Sequence, residues 1–210
     1  MKRTLIVIAL IAALIAPIWA QDYGTTPDGF YWELTPDGRG IIVGDYTGTA
    51  TSVRIPDRIN NLPVVQIGDS AFYQKNTITS VVMPNTVTSI GETAFQRCTR
   101  LTSVTFSSSL TTIGTSAFNA CTALTSITLP SNITTIGIRA FSDCTALTTV
   151  SLPASITNIG NLAFRGCTAL TTVTIPASVT RITFGANAFQ GVTNLNAVSV
   201  ATLQRVGYVF

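Results

Sequence analysis

Apolar and polar positions follow a pattern that repeats every 23 residues along most of the chain. Each unit carries an Ile-Gly pair and, after two further residues, an Ala-Phe pair. These units have their Ile-Gly isoleucine at Ile67, Ile90, Ile113, Ile136 and Ile159. A sixth copy at Ile182 contains two extra residues, Thr183 and Phe184. A fixed period of this length predicts a solenoid of stacked coils, because one coil cannot bury its own apolar face.

The repeat unit reads L-x-x-V-x-L-P-x-x-I-x-x-I-G-x-x-A-F-x-x-C-x-x. Its V-x-L core alternates with period two and is β-branched, which predicts a short strand. Proline or serine follows, and proline ends strand pairing because it has no N–H to donate. The glycine before the Ala-Phe pair predicts a tight turn with positive φ. We expect Ala-Phe itself to form one short turn with the phenylalanine pointing inward.

This unit resembles the leucine-rich repeat, in the 23-residue treponemal-type class of BspA-like bacterial surface proteins. The resemblance covers about residues 51–210 and rests on the I-G-x-x-A-F and C-x-x-L elements. It implies an α/β solenoid, mostly β, with about seven coils and one continuous parallel sheet. It also implies that the concave face of that sheet is the binding surface.

Three regions are predicted along the chain. Residues 1–20 read as a signal peptide, with basic Lys2 and Arg3, an apolar run over Thr4–Ala16 and a cleavage site after Ala20. An uncleaved anchor is the alternative. Residues 21–50 are expected to form an N-terminal β cap, with a hairpin from Phe30–Leu34 to Ile41–Val43. Residues 51–210 form the solenoid. This organisation predicts an exported protein at the cell surface, secreted or periplasmic, with no stable membrane span in its mature part.

The two ends of the solenoid differ in sequence. The aromatic residues of the N-terminal hairpin are expected to cover the first coil, and the loop Arg58–Pro63 is predicted to be an insertion. The last residues, Leu203–Phe210, resemble a repeat cut off at its phenylalanine, and no C-terminal cap is recognisable. Self-association through that uncapped end is one expectation, and fraying is the other.

The composition excludes most enzyme chemistry. The chain has no histidine, and only 10% of its residues are charged against 46% hydrophobic. Ser-His-Asp and Cys-His machinery is therefore absent, and so are imidazole metal ligands. Basic residues are too sparse for a nucleic-acid-binding stripe. We predict no enzyme activity, no catalytic residue, no metal site and no cofactor.

Four cysteines share one column of the solenoid, at Cys98, Cys121, Cys144 and Cys167. A straight column cannot converge tetrahedrally on one zinc ion. Disulfides between neighbours are allowed in an exported protein. Lys75 and Val192 occupy the same column, which favours small-residue packing and therefore buried free thiols.

The outward positions of the predicted strands form a surface of hydroxyls and methyls without charge. At the two ends of this surface, the expected outward pairs are Ser80/Val82 and Ala197/Ser199. The candidate partner-binding residues are Thr102, Ser103, Thr105, Thr125, Ser126, Thr128, Thr148, Thr149, Ser151, Thr171, Thr172 and Thr174. The residue types that dominate binding energy at protein interfaces, Trp, Tyr and Arg, are absent from this set. Threonine and serine are also ordinary solvent-facing strand residues, so a purely structural reading stays open.

The resemblance implies a non-catalytic, adhesin-like module that binds a protein partner, for example one of the host extracellular matrix. The alternative is a structural or envelope-associated periplasmic repeat protein without a host ligand. An ice-binding threonine array is a remote third reading, disfavoured by sheet curvature and by serine at several of the positions.

Overall fold

The computed structural model describes residues 22–210, and the predicted signal peptide lies outside them. Within residues 22–210, sixteen short strands are followed by one helix. The first six strands are β1 Tyr23–Thr25, β2 Phe30–Leu34, β3 Ile41–Tyr46, β4 Ser52–Arg54, β5 Arg58–Ile59 and β6 Leu62–Ile67. The next five are β7 Ser80–Val82, β8 Ser89–Ile90, β9 Ser103–Thr105, β10 Thr112–Ile113 and β11 Ser126–Thr128. The last elements are β12 Thr135–Ile136, β13 Thr149–Ser151, β14 Asn158–Ile159, β15 Thr172–Thr174, β16 Thr183–Phe184 and α1 Ala197–Arg205.

The strands stack into a solenoid of about six turns, which confirms the predicted mostly-β solenoid but with one coil fewer than the seven expected. Each full repeat contributes two strands, one from V-x-L and one from the residues before the Ile-Gly glycine. The second set builds the longer sheet, ordered β1-β2-β3-β6-β8-β10-β12-β14-β16, with β5 beside β6. From β3 to β16 the strands along this path are parallel.

The V-x-L strands do not form the single continuous sheet that the sequence predicts. They form two three-stranded parallel sheets, β4-β7-β9 and β11-β13-β15. The break lies between β9 and β11, where the residues after the strand are Phe106 and Ser107. The equivalent positions in the flanking coils hold Met83-Pro84 and Leu129-Pro130.

A ladder of stacked phenylalanines forms the centre of the core. Successive rings from Phe72 to Phe189 are 4.8–5.5 Å apart and at most 15° from parallel. The ladder members are Phe72, Phe95, Phe118, Phe141, Phe164 and Phe189. The backbone links the same coils, since Phe118 N–H donates to the Ala140 carbonyl at 2.8 Å. The predicted inward phenylalanine is confirmed, in a hydrogen-bonded turn rather than a helix.

The N-terminal hairpin forms as predicted and extends the phenylalanine ladder. Strands β2 and β3 pair antiparallel. The Tyr46 ring stacks on Phe72 at 5.4 Å, and Phe30 lies 4.9 Å from Tyr46 on its other side. The first coil is therefore covered by aromatic rings. The insertion Arg58–Pro63 is a tight hairpin between β5 and β6, not an irregular loop, and its two turn asparagines, Asn60 and Asn61, have positive φ.

The C-terminal end is capped, contrary to the sequence prediction. Helix α1 packs on β15, and the Ser199 hydroxyl accepts a hydrogen bond from Val173 N–H at 2.9 Å. Arg205 donates to carbonyls of the last repeat, including that of Val179. Tyr208 packs edge-on against Phe189 at 5.1 Å. Helix α1 therefore covers the β15 edge, which the sequence prediction left without a cap.

The expectation that Ala197 and Ser199 form an outward strand pair is wrong as well. Both residues lie in α1, where Ser199 is buried and Val198 is 75% exposed. Asn196 caps the helix, because its side-chain oxygen accepts from Ser199 N–H at 2.8 Å. This cap starts a helix at the point where the earlier repeats place a strand.

The two extra residues of the sixth copy change its register. Phe184, not Ile182, pairs with Ile159, and Gly185 N–H donates to the Ile159 carbonyl at 2.7 Å. Ile182 is displaced from the isoleucine column, and its N–H donates to Val206 in the C-terminal cap. The expected placement of Ile182 is therefore wrong by two residues.

Candidate binding surface

The twelve candidate residues lie on one face of the solenoid, which we call the hydroxyl face. Eight are on strands β9, β11, β13 and β15, and the four threonines Thr102, Thr125, Thr148 and Thr171 immediately precede these strands. Nine of the twelve are exposed, whereas Thr149, Ser151 and Thr172 are half-buried. The structure therefore places the predicted set together on one solvent-facing surface.

Strand register aligns the outward side chains into two columns. Ser126, Thr149 and Thr172 are register partners across β11, β13 and β15. Thr128, Ser151 and Thr174 form the second column. Between them, Ile127, Val150 and Val173 point into the core and are at most 2% exposed. The face is thus a regular array of short polar side chains above an apolar layer.

The threonines that precede the strands also hold neighbouring coils together. Thr102 Oγ1 donates to the Thr79 carbonyl at 2.9 Å, and Thr148 Oγ1 donates to the Thr125 carbonyl at 3.0 Å. Thr171 makes the same bond to Thr148 at 3.3 Å. These hydroxyl donors are used within the solenoid, so a partner would meet them mainly as acceptors and methyl groups.

The sequence prediction missed a second threonine-rich surface on the longer sheet. Thr111 Oγ1 donates to the Thr88 carbonyl at 3.0 Å, and Thr157 Oγ1 donates to the Thr134 carbonyl at 3.1 Å. Thr112 and Asn158 are exposed on the same sheet. The T-x-I pattern that begins at Thr88, Thr111, Thr134 and Thr157, before four of the glycines, is the sequence signal of this surface. Hydroxyl content alone therefore does not distinguish the two faces.

Charge on the hydroxyl face is confined to its first strand. Among strands β4, β7, β9, β11, β13 and β15, only Arg54 of β4 is charged. Exposed arginines occur instead along the turns, at Arg97, Arg100, Arg139 and Arg165. Arg165 Nη1 lies 3.5 Å from an oxygen of Asp143. From β7 to β15, a partner of the hydroxyl face would therefore meet strands without charge.

The cysteine column is buried, and its four thiols are unpaired. Each Sγ donates to the phenylalanine carbonyl of the preceding coil, as Cys121 does to Phe95 at 3.1 Å and Cys167 does to Phe141 at 3.1 Å. Burial raises the pKa of Cys98 and Cys167 to about 12. Burial also raises the pKa of Cys121 and Cys144 well above the usual value. Such thiols stay protonated at neutral pH and are poor nucleophiles.

Within residues 22–210, no group of three or more acidic, cysteine or histidine side chains is arranged to hold a metal ion. In the same part of the chain, no helix has the length and apolar character that crossing a membrane requires.

Comparison with known families decides the classification. Residues 65–200 match the model of the BspA type leucine rich repeat region, in six copies. The chain belongs to this family. A search of curated protein sequences gave no match.

Solved structures of similar proteins extend the comparison of this BspA-type repeat protein. The leucine rich repeat protein of Treponema pallidum is 30% identical, with a TM-score of 0.70, over 88% of this chain and 97% of its own. A leucine rich cell surface protein of Faecalibacterium prausnitzii is 33% identical, with a TM-score of 0.59, over 83% of this chain and 53% of its own. The pneumococcal vaccine antigen PcpA is 23% identical, with a TM-score of 0.64, over 82% of this chain and 48% of its own, and it shares the fold.

Proposed function

We propose that the protein is a non-catalytic, exported binding module that attaches to a protein partner through the hydroxyl face. The observation that carries the proposal is the exposure of nine of the twelve candidate side chains on one uncharged, ordered surface. The relative from F. prausnitzii, a cell surface protein by its description, supports placing this chain outside the cytoplasm. An adhesin-like role, with a host extracellular-matrix protein as partner, is the specific form of the proposal.

The chemistry of this face determines how it would bind. Short hydroxyl side chains bury little area each, and several of their donors already bond to backbone carbonyls. Tight binding therefore needs many coils engaged together, because each single contact contributes little. Added salt should have a small effect, because the strands from β7 to β15 carry no charge.

A pair of charged substitutions tests the proposal. Ser126→Lys with Thr174→Glu places bulky charges on β11 and β15, at two exposed positions of the hydroxyl face. The matched control is Thr112→Lys with Asn158→Glu, at two exposed positions on β10 and β14 of the longer sheet. Both variants should melt like the parent, since exposed substitutions change stability by only about 0.5 kcal/mol.

Binding is measured on immobilised parent and variants with purified fibronectin, laminin and collagen. The proposal expects at least one of these proteins to bind the parent and the control, and to lose affinity at least tenfold for the hydroxyl-face variant. Equal binding to all three forms would contradict it. If neutralising Arg97, Arg100, Arg139 and Arg165 to glutamine abolished binding instead, the basic turns would be the site.

A structural or envelope-associated role is the second candidate function. The observation that favours it is the use of threonine hydroxyls to connect coils on both the hydroxyl face and the longer sheet. Protease treatment of intact cells separates the two candidates. Degradation of the protein on intact cells supports surface display, whereas protection until the outer layer is opened supports the structural role.

A further inference from the structure

The two halves of the hydroxyl face are separated by a gap in backbone hydrogen bonding. At the end of each strand, the next residue donates its N–H to the following coil: Met83 to Thr105, Leu129 to Ser151 and Leu152 to Thr174, all at 3.0–3.1 Å. The equivalent bond from Phe106 N–H to the Thr128 carbonyl is absent among the described residues. The Phe106 N–H donor and the Thr128 carbonyl acceptor therefore lack the bond that their equivalents make.

The strands are still connected at the opposite end of the gap. Thr125 N–H donates to the Thr102 carbonyl at 3.5 Å, compared with 2.8 Å for the equivalent bond from Thr148 to Thr125. The separation between β9 and β11 is therefore wedge-shaped, and its open end is at Phe106 and Thr128.

The sequence around Phe106 explains the wedge. The Phe106 ring packs edge-on against Phe118, with centroids 5.7 Å apart. The other coils hold a smaller aliphatic side chain or methionine at this position, followed by proline. Ser107 replaces the proline, is fully buried, and accepts a hydrogen bond from Ser109 N–H at 3.1 Å. A larger side chain and a different turn thus coincide at the one break in this face.

Apolar surface is exposed at the wedge. Val104 is half-buried, whereas Val81 and Ile127 at the same position of the neighbouring coils are at most 2% exposed. A shallow cavity of about 380 Å³ lies here, with Val104, Phe106, Leu129 and Pro130 as its apolar lining. Its remaining lining is neutral and polar, including Thr105 and Thr128. We call this cavity the slot.

We propose that the slot receives one apolar side chain from an extended segment of a partner protein. The peptide groups that flank this side chain would accept from Phe106 N–H and donate to the Thr128 carbonyl. A peptide unit matches this site because it supplies one acceptor and one donor beside an apolar side chain. The absence of charged residues in the lining disfavours a charged side chain, since burying an unpaired charge is costly.

This inference rests on the proposed function and adds an anchor to it. The hydroxyl face otherwise offers shallow contacts of similar strength. A buried apolar side chain at the centre of an interface is the kind of contact that dominates binding energy. The slot lies between β9 and β11, where the two three-stranded sheets meet, so partner residues on either side of the bound side chain would contact the hydroxyl face.

The smallest probe with the required chemistry is N-acetyl-leucine N-methylamide, which has one apolar side chain between two peptide groups. Heteronuclear NMR of the labelled protein should show saturable shift changes at the Val104 methyl groups and the Phe106 and Thr128 amides, at millimolar probe. N-acetylglycine N-methylamide, which lacks the side chain, should bind at least tenfold more weakly. Equal shifts with both probes, or none with either, would overturn the proposal.

A closing variant provides the matched protein control. Phe106→Leu with Ser107→Pro restores the Leu-Pro pair found at Leu129-Pro130, and should re-form the missing bond and remove the leucine probe's shifts. Thr105→Arg, at an exposed position that lines the slot, should weaken binding of the leucine probe without affecting the fold. Unchanged probe binding by both variants would contradict the slot.

Two further outcomes are distinguishable. Concentration-dependent dimerisation of the parent that disappears in the closing variant would make a second copy of the chain the occupant and overturn the proposal. If the probe fails while the matrix-protein test of the hydroxyl face succeeds, the slot alone is rejected and the proposed function stands.

Discussion

Gly114 lies directly against the backbone of Gly91 in the preceding coil. A Cβ on Gly114 would be 2.7 Å from both the carbonyl carbon and the carbonyl oxygen of Gly91. Gly137 stands in the same relation to Gly114, with 2.6 Å to the same two atoms. The glycine column therefore exists because neighbouring coils approach closely, and the predicted positive φ at these glycines is wrong.

Replacing Gly114 with alanine should destabilise the solenoid because the new methyl group meets backbone atoms that cannot move aside cheaply. We expect a loss of about 3 kcal/mol, the upper end of the usual overpacking range. The control is Gly38→Ala, which has open space around it but a φ of +67°, and should lose about 1 kcal/mol. Urea unfolding of both variants measures these losses. A smaller loss of unfolding free energy for Gly114→Ala than for Gly38→Ala would contradict the close approach of the coils.

Truncating the phenylalanine ladder in its middle should leave a cavity. Phe141 stacks between Phe118 at 5.3 Å and Phe164 at 5.5 Å and is fully buried. Phe141→Ala should therefore cost about 3–5 kcal/mol in denaturant unfolding. Ile138→Ala, at a site that is 47% exposed, should change stability by only about 0.5 kcal/mol. A loss below about 1 kcal/mol for Phe141→Ala would be incompatible with an inward ring.

The four cysteines should react with an alkylating reagent only after unfolding. Each is buried and donates its thiol hydrogen within the core. Mass spectrometry should show no label on the native protein and four labels on the denatured protein. A native mass lower by two or four hydrogens, with fewer labels after denaturation, would show disulfides instead.

Alkaline pH should reduce the contribution of a buried thiol to the free energy of unfolding. Burial raises the folded-state pKa of Cys167 to about 12, whereas an unfolded thiol has a pKa of about 8.5. The stabilisation is complete below the unfolded pKa and is lost as pH rises toward the folded one. The stability advantage of the parent over Cys167→Ala should shrink by about 2 kcal/mol from about pH 8 to about pH 10. An advantage independent of pH would contradict the buried, protonated thiol.

Much of the fold could be predicted because the repeat encodes it locally. The inward phenylalanines and the N-terminal hairpin follow from periodicity and turn chemistry. The break after β9 could not be predicted, because Phe106 looks like one more apolar residue of the pattern and its size matters only against Phe118. Helix α1 was missed for a similar reason, since Val198 and Val200 continue the alternation while Asn196 supplies a helix cap.

The hydroxyl face could be predicted from the alternation of its strands, but the second threonine-rich surface, on the longer sheet, could not. Thr112 and Asn158 belong to a second set of strands too short, at two residues each, to be recognised by alternation. The hydrogen bonds of Thr102 and Thr148 could not be read from the sequence either, because they depend on coil-to-coil register.

The central claim is that the hydroxyl face is where a protein partner binds. Hydrogen–deuterium exchange of the complex with the matrix protein that binds the parent most tightly tests it directly. The account predicts slower exchange on binding in the segments that contain β9, β11, β13 and β15, with no change in those that contain β10, β12 and β14. Protection confined to the longer sheet or to the arginine-bearing turns would contradict it.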